Sequence, residues 1–131
     1  MPYTTAGNYG LLWVAVGVVA GRPVKTAATV WGTLGANYAV KRLVGRERPA
    51  PAIAEPLVAL PSSSSFPSSH AAMSTAAAIV LIEARPSLAP VWVAMGAAMA
   101  ASRVYVGAHH ASDVAAGVAL GAVTGTVAVS A

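Results

Sequence analysis

The sequence predicts an all-α fold: an integral membrane helical bundle of about five transmembrane helices with one long loop rich in proline and serine. Three observations predict it, two from composition and one from the spacing of charges. Of the 131 residues, 56% are hydrophobic and only 9% are charged, whereas charged residues make up about 25% of an average soluble domain. So few charges cannot cover a soluble surface, and so apolar a chain would collapse rather than stay disordered. A bilayer is therefore the expected solvent.

The charges are separated by long uncharged stretches. Lys, Arg, Asp and Glu are absent from residues 1–21, 26–40, 56–82, 86–102 and 114–131. A helix that crosses the hydrocarbon core needs about 17–25 mostly apolar residues. We expect helices near residues 6–21, 24–44, 69–84, 87–104 and 109–130, in a single domain over residues 1–131. The third, with sixteen residues, reaches only about 24 Å at 1.5 Å per residue.

One long connection, residues 45–68, separates the second and third predicted helices. It carries five prolines and the serine run Ser62–Ser65, and prolines at this density exclude a regular helix. A serine run alone is typical of an exposed low-complexity linker. Loops of this length in compact proteins are nevertheless usually functional or disordered, so the whole loop is a candidate for function.

Threading the five helices through a membrane brings chemically active side chains together at one end of the bundle. Helices two and four rise to this end, and helices three and five start from it. Three separate segments contribute seven of the fifteen Lys, Arg, His, Asp and Glu residues, namely Lys41, Arg46, Arg48, His70, Arg103, His109 and Asp113. Ionisable groups at membrane depth are costly and usually functional, so we predict a site there.

Each residue has an ordinary structural explanation when it is taken alone. Lys41 beside Arg42 is typical of an interfacial anchor whose charge reaches the lipid headgroups. A lone histidine such as His70 is more often a hydrogen-bonded structural residue, and Asp113 could simply cap its helix. The combination of these residues at one end of the bundle is what favours a site.

Three of the cations suit a phosphate dianion. Lys41, Arg48 and Arg103 offer one point charge and two guanidinium groups, which match phosphate oxygens in a bidentate fork. Ser68, Ser69 and the first N–H groups of the third helix add an anion site at a helix N-terminus. The set therefore predicts phosphate binding.

The histidines predict the chemistry. His109 and Asp113 lie four residues apart and would share one face of a helix, where the carboxylate fixes the imidazole tautomer and leaves the other ring nitrogen as a nucleophile or base. His70 remains as a general acid. The adjacent His109 and His110 would point to different helix faces with no carboxylate cluster beside them, which disfavours a metal site. We expect phosphoryl transfer through histidine, with neither metal nor other cofactor.

Three segments resemble the signatures of the type 2 phosphatidic acid phosphatase (PAP2) family, which shares its pocket with the vanadium haloperoxidases. They read K-x6-R-P over residues 41–49, P-S-x-H over residues 67–70 and S-R-x5-H-x3-D over residues 102–113, and together they span more than half of the chain. The resemblance implies phosphate ligands at Lys41, Arg48 and Arg103, further donors at Ser68 and the Ser69 amide, a phosphohistidine-forming nucleophile at His109, its orienting partner at Asp113, and an acid for the leaving alcohol at His70.

The chain departs from the family pattern at two points. The second signature commonly reads P-S-G-H, and Ser69 stands here in place of the glycine. A serine is acceptable if this position lies in the first turn of a helix, and costly if it needs a positive φ. Membrane members of the family usually have six transmembrane helices, against the five expected here. The missing one would be an N-terminal helix that carries no signature residue.

The resemblance implies a lipid phosphatase that hydrolyses a phosphate monoester or pyrophosphate without metal. It leaves open phosphatidate-like lipids, phosphatidylglycerol phosphate and polyprenyl phosphates or pyrophosphates as substrates. The Ala-, Val-, Gly- and Arg-rich composition looks actinobacterial and adds decaprenylphosphoryl-phosphoribose. Two other functions stay open. A vanadate-dependent haloperoxidase is disfavoured because no soluble domain surrounds the pocket, and a non-catalytic phospholipid-binding scaffold because no signature residue is missing.

The remaining predictions concern partners and location. The net charge of +4 does not indicate a nucleic-acid partner, because the basic residues are few and no aromatics interleave with them. The expected partners are the bilayer and a lipid phosphate. Gly117, Gly121 and Gly125 allow close helix approach, either within the chain, against helices three and four, or in a homo-oligomer. Basic residues at the opposite end favour a bacterial plasma membrane with the site at the extracytoplasmic face.

Overall fold

The computed structural model describes residues 10–48 and 64–131, which form helices and short connections with no β-strand among them. The α-helices, numbered α1 to α5, are Leu11–Val19, Pro23–Val44, Ser69–Ala84, Ala89–Tyr105 and Ala111–Ser130, and a 3₁₀ turn, Pro86–Leu88, leads into α4. The all-α prediction is confirmed. Residues 6–9 of the first predicted helix and residues 49–63 of the long loop lie outside the described residues.

The helix ends follow local sequence signals. Pro23 takes the first position of α2, where the missing N–H would have had no partner in the helix. Gly45 ends the same helix in the left-handed conformation with φ 63°, which glycine adopts without a steric penalty. Ser68 caps α3 by accepting the Ala71 N–H at 3.3 Å. Because these signals are strong, the predicted boundaries of α2 to α5 agree with the structure within two residues.

α3 is the central helix and contacts the other four. Its buried surface is made mostly of alanine and other small residues, so neighbouring helices reach its backbone closely. Trp13 of α1 donates to the Ser74 hydroxyl at 3.1 Å. At the opposite end of the bundle from Ser68, Lys25 of α2 forms an ion pair with Glu83 at 2.8 Å.

The three glycines of α5 pack against α3, which runs in the same direction. Each glycine faces a small residue in α3 or at its N-terminal cap, and these residues are also spaced four apart. The pairs are Gly117 with Ser68, Gly121 with Ala72 and Gly125 with Ala76. A Cβ on either of the first two glycines would overlap a backbone carbonyl oxygen. The nearest atoms all belong to α3, rather than to α3 and α4 as expected. A homo-oligomer through this stripe stays a prediction, and a second copy would have to displace α3 to form it.

The interior face of α2 is mostly polar, with Val30 as its buried apolar residue. Its buried residues include Thr26, Thr29, Thr33, Asn37 and Lys41. The Thr33 hydroxyl is 2.7 Å from that of Thr124 on α5, and the Asn37 amide donates to the Pro67 carbonyl at 3.3 Å. This face turns inward, away from the surroundings of the bundle, and leads up to Lys41.

The bundle has the surface and helix lengths of a membrane protein. Two stretches, Pro86–Tyr105 and Ala111–Ser130, are long and apolar enough to span a membrane, with mean hydropathies of 1.2 and 1.5. Ser69–Ala84 is apolar but shorter. Large apolar side chains, including Val19, Leu43, Val123 and Val127, are exposed on the outside. The count of five membrane spans stays a prediction.

A Gly121→Ala substitution should destabilise the bundle, because the added Cβ has to push α5 away from the Ala72 carbonyl. Overpacking of this kind typically costs about 1–3 kcal/mol. Gly35→Ala in α2 is the matched control, since no heavy atom lies within 4 Å of a Cβ added there and alanine favours the helix. Thermal unfolding of both variants in the same detergent makes the comparison, and equal midpoints would contradict the close packing.

Candidate active site

Three connecting segments meet at the end of the bundle where α3 and α5 begin. Residues 45–48 follow α2, residues 64–68 precede α3, and residues 106–110 join α4 to α5. The Ser65 N–H donates to the Arg46 carbonyl at 2.9 Å, and the Ser68 N–H donates to the Asp113 carbonyl at 3.0 Å. The structure thus brings together the three signature segments, as the threading of the helices predicts.

His109 lies in a tight turn after α4. The N–H groups of Ala108 and His109 both donate to the Arg103 carbonyl, at 3.0 and 3.1 Å. Gly107 allows the turn because its φ is 77°, in the left-handed region that side chains disfavour. The turn carries the His109 ring into the bundle, where only 4% of the residue is exposed.

The two nitrogens of the His109 ring have different surroundings. Nδ1 lies 2.7 Å from the carbonyl oxygen of Ser65. A carbonyl only accepts, so Nδ1 carries the proton, and in the neutral ring Nε2 holds the lone pair. Nε2 lies 3.4 Å from Nη1 of Arg48. The nitrogen that could act as a nucleophile therefore faces a cation.

Burial and nearby cations keep this ring neutral. Desolvation, followed by the charge of Arg48 and more weakly that of Lys41, lowers the pKa of His109 from 6.5 to about 4. The Ser65 carbonyl and the Asp113 carboxylate act in the opposite direction. At neutral pH the ring is unprotonated at Nε2, which is the form in which imidazole attacks an electrophile.

Two of the predicted phosphate ligands are buried cations. Lys41 and Arg103 are each 5% exposed. Lys41 Nζ donates to the Ser64 carbonyl at 2.6 Å, and Arg103 Nε has no hydrogen-bond partner among the described residues. Within that part of the chain neither forms an ion pair with a carboxylate. Burying a cation without a counter-charge is costly, so the site is suited to an anion.

Arg48 connects these cations with the histidine turn. Its Nη1 donates to the Ala108 carbonyl at 2.8 Å. Burial lowers the pKa of Arg48 below its ordinary value, but a guanidinium keeps its charge in proteins. Arg48 acts electrostatically on Lys41, Arg103 and His109. The three cations therefore lie close to one another at the end of the bundle that holds the His109 ring.

Asp113 has partners other than the expected one. Its Oδ2 accepts the His110 N–H at 2.7 Å and lies 3.0 Å from His110 Nδ1, and its Oδ1 accepts from Arg46 at 2.9 Å. Oδ2 is 3.8 Å from His109 Nδ1, which is too far for a hydrogen bond. The expected shared helical face does not exist, because α5 begins at Ala111 and His109 lies in the preceding turn.

The second signature forms the first turn of α3. Ser68 is the buried cap residue, and Ser69 and His70 are the first two helical residues, both partly exposed. Because Ser69 occupies a regular helical position, this site does not require the positive φ that would favour glycine. The departure from P-S-G-H is therefore compatible with the fold.

Sequence reasoning missed Ser65 and assigned no role to Arg46 or His110. Ser65 belongs to a run of four serines, and it contacts His109 through a backbone carbonyl, which every residue has. No sequence signal distinguishes it. For Arg46 and His110 the available signal was a charged or titratable side chain within two residues of a signature position.

Among residues 10–48 and 64–131, no group of three or more His, Cys, Asp or Glu could hold a metal ion.

Comparison with known proteins places this geometry in a family. Residues 11–131 match the PAP2 superfamily. Decaprenylphosphoryl-5-phosphoribose phosphatase of Mycobacterium tuberculosis is 49% identical over 89 residues, which are 67% of this chain and 49% of the relative. The protein of the same name from Mycolicibacterium smegmatis is 34% identical over 119 residues, or 85% of this chain and 65% of the relative.

A solved structure shares the fold. The crystal structure of the first transmembrane PAP2 type phosphatidylglycerolphosphate phosphatase, from Bacillus subtilis, matches with a TM-score of 0.69 and 26% identity, over 91% of this chain and 66% of that one. The chain thus spans between about half and two-thirds of the length of these relatives. Since the family match runs from residue 11 to residue 131 and includes all three signatures, the chain belongs to the PAP2 superfamily.

Proposed function

We propose that this chain is a lipid phosphatase that hydrolyses a lipid-linked phosphate through a phosphohistidine on His109, without a metal ion. The observation that carries the proposal is the cluster of Lys41, Arg48 and Arg103 around a neutral imidazole. Membership in the PAP2 superfamily and relatives that are named as phosphatases support it. A dianionic phosphate compensates the buried positive charge, and its phosphorus then lies within reach of Nε2.

Phosphate binding uses the three cations and the first turn of α3. Arg103 Nε and the ammonium group of Lys41 neutralise phosphate oxygens, and Arg48 holds the oxygen nearest to His109. The Ser68 hydroxyl accepts the Ala71 N–H, which leaves its own O–H free to donate. The Ser69 amide, at the start of α3, adds a backbone donor and the positive end of the helix dipole.

The reaction proceeds in two displacements. His109 Nε2 attacks phosphorus, the ester P–O bond breaks, and His70 gives a proton to the leaving alcohol. His70 then takes a proton from water, whose oxygen attacks phosphorus. The P–N bond breaks, phosphate is released and His109 is restored. The Asp113 carboxylate, 3.8 Å from Nδ1, stabilises the positive charge that the ring gains in the first step.

Decaprenylphosphoryl-5-phosphoribose is the first candidate substrate. Two relatives carry that activity in their names, at 49% and 34% identity. The site lies at one end of a bundle whose outer surface is apolar, so a polyprenyl chain can lie along the helices in lipid while its polar end enters the site. Phosphatidylglycerol phosphate is the second candidate, because it is named for the structural neighbour.

The site belongs to the extracytoplasmic face of a bacterial plasma membrane in this proposal. The opposite end of the bundle carries Arg22, Lys25 and Arg85 with only Glu83 as an acid, and cytoplasmic loops are enriched in Lys and Arg. The basic residues at the site are explained by phosphate binding in this proposal, so they are left out when the Lys and Arg residues at the two ends of the bundle are compared.

A panel of lipid phosphates tests the proposed activity. The purified protein in detergent should release phosphate from decaprenylphosphoryl-5-phosphoribose faster than from phosphatidylglycerol phosphate, phosphatidate or a polyprenyl pyrophosphate. Excess EDTA should leave the rate unchanged, and vanadate should inhibit by occupying the phosphate site. Release from none of the four lipids would contradict the proposal and favour a phospholipid-binding scaffold. Halide oxidation by the vanadate-loaded protein would instead favour the haloperoxidase alternative.

The same panel reports the orientation in sealed vesicles. A substrate that is added to right-side-out vesicles should be hydrolysed without permeabilisation, whereas inverted vesicles should need detergent. The reverse pattern would place the site on the cytoplasmic face.

A His109→Gln substitution should reduce turnover to background, because the amide retains hydrogen bonding but cannot form a P–N bond. Single-nucleophile knockouts in hydrolases cost up to about 10⁶-fold in kcat. After rapid quenching of a reaction with substrate that carries radioactive phosphate, a protein-bound label that is stable in base and lost in acid would identify the phosphohistidine. His110→Gln should still form this phosphoenzyme, so label that disappears only in His110→Gln would contradict the assignment of His109.

The pH dependence follows from the lowered pKa of His109. Because the neutral ring is the nucleophile, activity is lost as the pH falls through about 4, rather than near the ordinary histidine value of about 6.5. The acid limb of kcat/KM reports this group in the free enzyme. A midpoint at pH 6 or above for the His109 ring itself, followed by NMR in the substrate-free protein, would contradict a buried, cation-flanked nucleophile.

A further inference from the structure

Asn37 is a fully buried polar residue on the interior face of α2, and neither the resemblance nor the proposed mechanism gives it a role. Its Nδ2 donates to the Pro67 carbonyl at 3.3 Å. A carbonyl only accepts, so this bond fixes the orientation of the amide. The other amide atom, Oδ1, has no hydrogen-bond partner among the described residues. A buried acceptor without a partner is costly, so the stability of the bundle alone does not explain an asparagine at this position.

The threonines one and two turns earlier on the same face satisfy their side chains in a different way. The Thr29 hydroxyl donates to the Lys25 carbonyl and the Thr33 hydroxyl to the Thr29 carbonyl, each at 2.7 Å. A threonine at position 37 could continue this pattern within α2 by donating to the Thr33 carbonyl. Asn37 instead reaches out of the helix to the residue immediately before Ser68. Its bond therefore connects α2 to the second signature segment.

Asn37 lies one helical turn before Lys41, and both side chains hold the segment that precedes α3. Lys41 Nζ donates to the Ser64 carbonyl at 2.6 Å, three residues before Pro67. In the proposed function the Lys41 ammonium also binds a phosphate oxygen. The Asn37 amide is uncharged, so its bond to Pro67 holds the segment whether or not an anion occupies the site.

We propose that Asn37 is a positioning residue that, by holding the Pro67 carbonyl, sets the distance between Lys41 and the first turn of α3. That turn carries the Ser68 hydroxyl and the Ser69 N–H, and the inference rests on the proposed function, in which both donate to phosphate. Asn37 acts through these donors and does not touch the substrate. Without its bond the turn moves relative to α2, and Lys41 and the start of α3 no longer bind one phosphate in the same geometry.

Asn37→Thr tests the proposal with little change in side-chain volume. The new hydroxyl is expected to donate to the Thr33 carbonyl, so the variant removes the bond to Pro67 and adds no unpaired donor. A misplacement of about 1 Å can cost about 10²-fold in rate. We expect kcat/KM for a lipid phosphate to fall, and the inhibition constant of vanadate to rise, by about 10- to 100-fold. The two should change by a similar factor because both ligands use the same donors.

Thr33→Val is the matched control. It removes a buried hydroxyl from the same face, including its contact with Thr124 at 2.7 Å, but Thr33 has no hydrogen bond to a signature segment. Its unfolding midpoint should fall at least as far as that of Asn37→Thr, while its vanadate inhibition stays at the wild-type value. Asn37→Ala repeats the test with a side chain that forms no hydrogen bond and should show the same loss as Asn37→Thr. Wild-type vanadate inhibition in the Asn37 variants, or an equal loss in Thr33→Val, would overturn the proposal.

Hydrogen exchange gives a second readout that does not need turnover. The Ser68 N–H donates to the Asp113 carbonyl at 3.0 Å. Mass spectrometry of peptides that cover residues 64–72 should show faster exchange in Asn37→Thr than in the wild type and in Thr33→Val, and unchanged exchange would overturn the proposal. A wild type that neither releases phosphate from any lipid nor binds vanadate would refute the proposed function. The exchange result would then decide by itself whether Asn37 positions the first turn of α3.

Discussion

The packing of α5 on the backbone of α3 is the constraint on which the site depends. Because Gly117 and Gly121 have no side chains, the two helices lie side by side in the same direction, and both begin at the same end of the bundle. The Ser68 N–H then donates to the Asp113 carbonyl, which joins the second and third signature segments. Small residues spaced four apart are thus responsible for placing a helix N-terminus next to the histidine turn.

The second determinant is the charge balance at that end. Asp113 is the buried carboxylate of the site, and Arg46 and His110 occupy both of its oxygens. Lys41 and Arg103 donate only to neutral groups or lack a described partner. The pairing of Asp113 therefore distinguishes Arg46, which neutralises a carboxylate, from Lys41 and Arg103, which have no carboxylate partner among the described residues. Burial, together with the same excess of positive charge, lowers the pKa of His109 and keeps its ring neutral.

The sequence predicts the helices and the convergence of the signatures because both depend on patterns that the local chain carries. Proline at position 23 and glycine at position 45 mark the ends of α2, and the uncharged runs mark the helices. The partner of His109 could not be predicted, since it is a backbone carbonyl brought in from a serine run 44 residues away. The partners of Asp113 differ from expectation because α5 starts two residues later than predicted, and a turn residue does not follow helical spacing.

That two-residue difference changes the surroundings of His109, the proposed nucleophile. Had His109 been helical, an i,i+4 contact would have placed a carboxylate on Nδ1 and made the ring strongly basic. In the turn, Nδ1 of the ring instead lies 2.7 Å from the Ser65 carbonyl oxygen. The Asp113 carboxylate is 3.8 Å from the same nitrogen and forms an ion pair with Arg46. In the proposed mechanism His109 first bonds to phosphorus and then leaves it, and both steps together need intermediate basicity. A nearby but occupied carboxylate can supply this, because it stabilises the charged ring at 3.8 Å without taking its proton.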